Sequence, residues 1–158
     1  MTQDVATRRE ATKAAFLKLL GHLGRKEFDA FEACLAPDFV QEWPYLPLPT
    51  LPHRMEGAAT ARRAMETGMS DFDGYNYRVI ALHDQLDPEF LIAEYSSHSH
   101  YRRRNVPYSN RYISLLRFRD GKLVHWVEYV NPLIIKEALL DDFDISLEQR
   151  ASRPEDRA

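Results

Sequence analysis

One cysteine, Cys34, is the whole thiol complement of this 158-residue sequence, so an intramolecular disulfide is impossible and a reducing compartment is expected. Glycine is sparse as well, and none of the six glycines builds a phosphate-cradling loop. No apolar run approaches the length of a membrane span, and the opening MTQDVATRRE is polar with no signal-peptide core, which makes the cytoplasm the expected location. A dominant charge is missing too. A net charge of −3 offers no general attraction for nucleic acid or anionic lipid. No Ser-His-Asp set can be assembled, Cys34 has no histidine partner in view, and there is no internal repeat.

What is present is ordinary for a globular protein: 44% hydrophobic and 28% charged residues in a length that suits one core. A single domain is expected over residues 1–140, followed by a charged tail over 141–158. Thr7-x-x-Glu10 has the form of a helix capping box, and Phe16, Leu19, Leu20 and Leu23 recur behind it at helical spacing up to Gly24. Phe28, Phe31 and Leu35 mark a shorter second helix stopped by Pro37, and residues 38–43 (DFVQEW) read as a strand. Prolines 44, 47, 49 and 52 exclude a helix or central strand from the next segment. That segment is rich in Tyr and Leu, so it is either an extended piece packed over an apolar mouth or a plain connector. A third helix should run from Gly57 to about Met69, with Ala61, Met65 and Met69 inward.

Beyond Gly74 the pattern turns to strands. Tyr75 to His83 is one, and Phe90 to Tyr101, entered through Asp87-Pro88, is the next. The most informative stretch is residues 107–140. Tyr112, Ser114, Leu116 and Phe118 share one face of a strand, and Ile113, Leu115, Arg117 and Arg119 share the other. Asp120-Gly121 supplies a tight hairpin turn. The return strand sets Val124, Trp126, Glu128 and Val130 on one side and Leu123, His125, Val127 and Tyr129 on the other. Asn131-Pro132 then opens a last helix. Three helices, a run of long antiparallel strands and a closing helix make an α+β protein whose curved sheet wraps the helices. One sheet face should close a core or pocket, and the other should meet a partner, often a second copy of the chain.

Glu128 is the charged residue that interrupts this apolar pattern. A carboxylate between Trp126 and Val130 is costly to bury unless it is paired, hydrogen-bonded or protonated. It is therefore a candidate proton carrier with a raised pKa, or else a structural group paired with Arg111 or Arg117.

APDFVQEWPYLPLP, MEGAATARRAM, DGKLVHWVEYVNP and LIIKEAL, in this order, resemble the nuclear transport factor 2-like superfamily, in its SnoaL-like and ketosteroid-isomerase-like branch. Over the C-terminal half the chain is most similar to the phenazine-biosynthesis PhzA/PhzB proteins. The resemblance implies a cone-shaped, cystatin-like α+β barrel with a deep pocket, and a homodimer across the outer sheet face. It also implies that Glu128 matches a proton-transferring glutamate of PhzA/PhzB proteins and a catalytic aspartate of limonene epoxide hydrolases. Other functional positions depart. The aspartate of ketosteroid isomerases falls on Trp43. The PhzA/PhzB histidine and arginine fall near Ala64 and Phe31, and the arginine and aspartate of limonene epoxide hydrolases near Tyr95 and Ser97. None of the three activities transfers intact.

The expected protein binds a small, largely apolar, cyclic molecule without cofactor or metal. It is either an isomerase, cyclase or hydrolase in which Glu128 shuttles a proton, or a non-catalytic binding or assembly module. Tyr112 or Tyr95 would donate a hydrogen bond to a developing oxyanion. Trp43, Tyr45, Tyr112 and Trp126 would line the pocket or fill the core, and the resemblance turns Tyr95 and Ser97 toward the pocket. His98 and His100 share a strand face and are weighed as a metal pair or, better, as a polar strand end. Arg102–Arg104 is expected to be a solvated loop.

Overall fold

The computed structural model describes residues 2–46 and 52–139, so the expected tail over 141–158 and the middle of the proline segment lie outside the described residues. The elements in chain order are α1 (Thr2–Gly24), α2 (Phe28–Ala33), β1 (Leu35–Glu42), β2 (Arg54–Glu56) and α3 (Ala58–Gly68). They are followed by β3 (Asn76–Asp84), β4 (Phe90–Tyr101), β5 (Val106–Arg119), β6 (Lys122–Val130) and α4 (Pro132–Ala138). The protein is α+β, with its helices against a curved, unclosed six-stranded sheet in the order β2-β1-β6-β5-β4-β3.

Two features of the sheet depart from expectation. It is mixed, because β1 runs parallel to β6, whereas an antiparallel sheet was expected. A short strand, β2, also pairs antiparallel with the edge of β1, and just beyond that pairing Trp43 N–H donates to the His53 carbonyl at 2.8 Å. β1 begins earlier than the sequence suggested: Leu35 and Pro37 belong to the strand, not to the second helix. Proline is tolerated there because the ladder slips between Leu35 and Val40. Likewise α1 starts at Thr2, so Thr7 lies inside the helix and not at its start.

Most local signals are realised. Asp120 and Gly121 take φ of 51° and 74°, the left-handed pair that a two-residue hairpin turn requires. Asn131 Oδ1 accepts from Leu133 N–H at 3.0 Å, with Pro132 at the first helical position of α4. Phe16, Leu19, Leu20 and Leu23 are all buried along α1, and Phe16 meets the Tyr95 ring edge-on at 5.5 Å. The alternation of β5 is equally clean: Tyr108, Asn110, Tyr112, Ser114, Leu116 and Phe118 point inward. In β6 a bulge opposite Arg117 and Phe118 turns Leu123 inward too, joining Trp126 on the core face and correcting the simple alternation read from sequence.

The outer face is more open. Ile113 stands 48% exposed there, with Ile92, Leu115, Val127 and Tyr129 partly exposed beside it. Among the described residues no helix is long and apolar enough to cross a membrane.

Candidate active site

The inner sheet face and the helices enclose a cavity of about 430 Å³. Its sheet-side wall carries Gln41 of β1 and Trp43 just beyond that strand, Trp126 and Glu128 from β6, and Tyr108 and Tyr112 from β5. Met65 of α3 and Met69 just after it, Leu46 beyond β1, and Ile135 and Leu139 near α4 make the opposite side apolar. Strand pleat explains the assembly: Gln41 and Trp43 are two apart, as are Trp126 and Glu128, so each pair looks into the same hollow. Register places the strands side by side, with Gln41 opposite Trp126 and Ser114 opposite Glu128.

Glu128 is held by two neutral donors. Trp43 Nε1–H donates to Oε2 at 2.8 Å, and the Tyr95 hydroxyl donates to Oε1. The order of protons behind Tyr95 follows. Its single hydroxyl proton goes to Glu128, so Ser114 must donate in the 2.8 Å bond between Ser114 Oγ and the Tyr95 oxygen. Ser114 Oγ in turn accepts from Trp126 Nε1–H at 2.8 Å. The carboxylate thus ends a directional chain running Trp126, Ser114, Tyr95, Glu128.

No cation balances this charge among the described residues. Arg111 pairs with Glu94, and Arg117 lies over the Phe90 ring at 4.4 Å with Asp87 at 3.6 Å, both on the outer face. The structural ion pair considered for Glu128 is therefore excluded with those two arginines. Burial pushes the carboxyl pKa above its ordinary value of 4.5, and the hydrogen bonds from Tyr95 and Trp43 offset only part of that rise.

Tyr112 lines the cavity, and its hydroxyl shares a 2.7 Å hydrogen bond with Ser97 Oγ. Burial holds its pKa well above the phenol range, so it stays a neutral donor. The Tyr112 ring stacks on Tyr95 with centroids 5.0 Å apart and planes 15° apart, and Tyr77 meets both edge-on.

Of the residues assigned to substrate from sequence, Trp43 and Trp126 line the cavity. Three do not. Tyr95 and Ser97 face inward but are fully covered, and serve as the layer behind Glu128 and Tyr112. Tyr45 is 62% exposed and packs on Tyr129 at 5.7 Å, outside the cavity, because the chain turns out of β1 just before it. His98 shares a hydrogen bond with Ser109 at 2.8 Å and His100 stands 3.6 Å from Asp73; among the described residues no cluster of His, Cys, Asp and Glu fits a metal ion. The arginine run lies on a turn with Arg102 and Arg103 exposed, as expected, and each of its side chains also has a partner. Arg102 donates to the Phe72 carbonyl at 3.2 Å, Arg103 pairs with Asp71 at 2.9 Å, and Arg104 donates to the Glu137 and Ala138 carbonyls at the end of α4.

Gln41 and the tyrosines at 75, 77 and 108 are cavity residues that the sequence reading missed. For Gln41 a signal existed: it alternates with Phe39 and Trp43, a polar side chain on an apolar parity, as Glu128 is in β6.

A curved α+β sheet with a carboxylate at the bottom of an aromatic hollow defines a pocket protein of the nuclear transport factor 2-like superfamily. The chain belongs to the SnoaL-like domain family, whose model matches residues 15–126. It is 27% identical over 126 residues to the Bacillus subtilis protein YesE, described as uncharacterized, covering 80% of this chain and 85% of that one. A solved Bacillus subtilis structure provisionally named an isomerase superposes with a TM-score of 0.77 at 25% identity, over 86% of this chain and 97% of the other. The phenazine biosynthesis-related protein PhzB2 of Pseudomonas aeruginosa shares the fold, with a TM-score of 0.70 at 14% identity, over 98% of this chain and 99% of the other.

Proposed function

We propose that the protein is an acid/base enzyme of the isomerase, cyclase or hydrolase type, acting on a largely apolar cyclic substrate through Glu128. One observation carries this: a carboxylate opens into an aromatic cavity, held by two neutral donors and no cation, with its pKa raised toward the range where proton exchange is efficient. Glu128 would accept a proton from a carbon or hydroxyl made acidic by a neighbouring carbonyl, then return it elsewhere on the same ring. Ser97 can donate to the Tyr112 oxygen, and the Tyr112 proton, which at rest is shared with Tyr108, can turn to an oxygen that gains charge as the first proton leaves. No cofactor enters these steps. The structural relative provisionally named an isomerase supports this chemistry in kind.

The test needs no knowledge of the natural substrate. 2-Tetralone is cyclic, apolar and carries acidic protons beside its carbonyl. The protein should accelerate exchange of those protons in D2O, followed by NMR, and Glu128→Gln should abolish the acceleration. Binding of 2-tetralone without any acceleration would instead favour a non-catalytic pocket. Homodimerisation through the outer face is part of the same proposal, supported by the exposed Ile113 and its apolar neighbours. Light scattering should report a dimer that Ile113→Asp dissociates, and a monomeric wild type would remove that element.

A further inference from the structure

Gln41 is 1% exposed, lines the cavity, and neither atom of its side-chain amide meets a hydrogen-bond partner. This contrasts with its neighbours. Trp43 and Trp126 spend their N–H groups on Glu128 and Ser114, and Ser97 and Tyr112 satisfy each other. A primary amide offers two donors and two acceptor sites, and leaving a buried polar group unpaired is costly. Native interiors leave few such groups, and each calls for a cause. Mere packing gives none, since a methionine or leucine would fill the position between Phe39 and Trp43 without penalty.

The placement suggests the cause. Gln41 is opposite Trp126 across the parallel β1–β6 ladder, and Glu128 follows Trp126 by two residues on the same face. The amide and the carboxylate therefore border the same part of the hollow. The terminal torsion of glutamine is soft, so either amide atom can be presented to the cavity without moving the strand. Charge is the wrong match: the amide is neutral and the Glu128 charge already stands nearby uncompensated. A group that both donates and accepts is the right match.

We propose that Gln41 is a specificity-determining residue whose amide pairs with a neutral hydroxyl, or an adjoining hydroxyl and carbonyl, on the substrate ring beside the position where Glu128 acts. The substrate class is then an oxygenated ring such as a phenol, enol or hydroxyketone, not a bare hydrocarbon. A site built around such a pair rejects an analogue lacking the hydroxyl, because the amide is again left unpaired. This assignment rests on the cavity being the substrate site.

The probes are 2-naphthol and naphthalene, which share a ring system and differ by one hydroxyl. Tryptophan fluorescence would give both affinities for the wild type, Gln41→Leu and Gln41→Met. The wild type should prefer 2-naphthol. Both variants should lose about tenfold of that preference while binding naphthalene as well as before or better. Side-chain amide resonances of wild-type Gln41 should move on adding 2-naphthol and stay still with naphthalene, a readout that needs no folded variant. An unchanged preference in the variants, or amide resonances indifferent to 2-naphthol, overturns the assignment while leaving the pocket intact. Failure of both probes to bind the wild type would remove the substrate site itself, and this assignment with it.

Discussion

Glu27 and Glu128 are the same functional group treated in opposite ways. Glu27 sits on the surface after α1, where Arg25 Nε donates to it at 2.8 Å and His22 Nδ1 lies 2.5 Å away. Those hydrogen bonds, Arg25 first, draw its pKa down to about 2. Glu128 receives hydrogen bonds as well, yet from an indole and a phenol that carry no charge, on the wall of a largely apolar hollow. Its pKa moves up. The lesson is that the number of hydrogen bonds does not decide direction. The presence of a cation and the access of water do.

The sharpest way to break the comparison is substitution at its buried end. Glu128→Gln should reduce proton exchange from 2-tetralone by about 10²–10⁴, the usual worth of a positioned acid or base. The same change should preserve stability, since an ionised carboxylate is costly where Glu128 lies. The sign with pH follows from the raised pKa. Wild-type stability is free of the penalty below the unfolded pKa, and is lost as pH rises through the folded pKa. The thermal-melting difference between Glu128→Gln and wild type should therefore grow on going from acid to neutral pH.

Tyr112→Phe comes next, lowering exchange by about 10² if the phenol stabilises an oxyanion, with the carboxyl titration of Glu128 unmoved. Tyr95→Phe should do the reverse. Losing a donor to the ionised form raises the Glu128 pKa further, so the acid limb of the exchange profile should shift to higher pH. Stability should fall by about 1–3 kcal/mol, because Ser114 and the carboxylate both lose a partner. Two stacked tyrosines would thus be separated by a rate in one case and a pH profile in the other.

The smallest effect is expected at the surface. Glu27→Gln should leave exchange unchanged. Stability gained from a depressed carboxyl pKa is present above the unfolded value and lost as pH falls through the folded one, near 2. Exposure and salt screening keep it small, so only acid melts at low ionic strength should register it.

Strand parity made much of this legible beforehand. Alternation along β5 fixed which side chains enter the core, and the mismatch of Glu128 with its apolar neighbours marked the cavity floor. Elements whose placement depends on distant pairing were not legible. Leu123 looked outward until the bulge turned it in. β1 gave no local sign that it would lie parallel to β6, since direction is set by how α1 and α2 return the chain. Tyr95 and Ser97 had the correct face, yet only three-dimensional packing puts Tyr112 and Glu128 in front of them. Tyr45 followed Trp43 by two residues, but β1 ends at Glu42 and alternation no longer applies that far past its end. Gln41 was legible by the same rule that singled out Glu128, and its lack of charge hid it.

One titration bears on all of this most directly. Carboxyl NMR of the free protein, with Glu128 identified by the signal missing in Glu128→Gln, should find its midpoint above the ordinary 4.5 and Glu27's far below. A Glu128 midpoint at or beneath 4.5 would mean that the hollow admits water or a counter-charge, and the proton-carrier account would be contradicted.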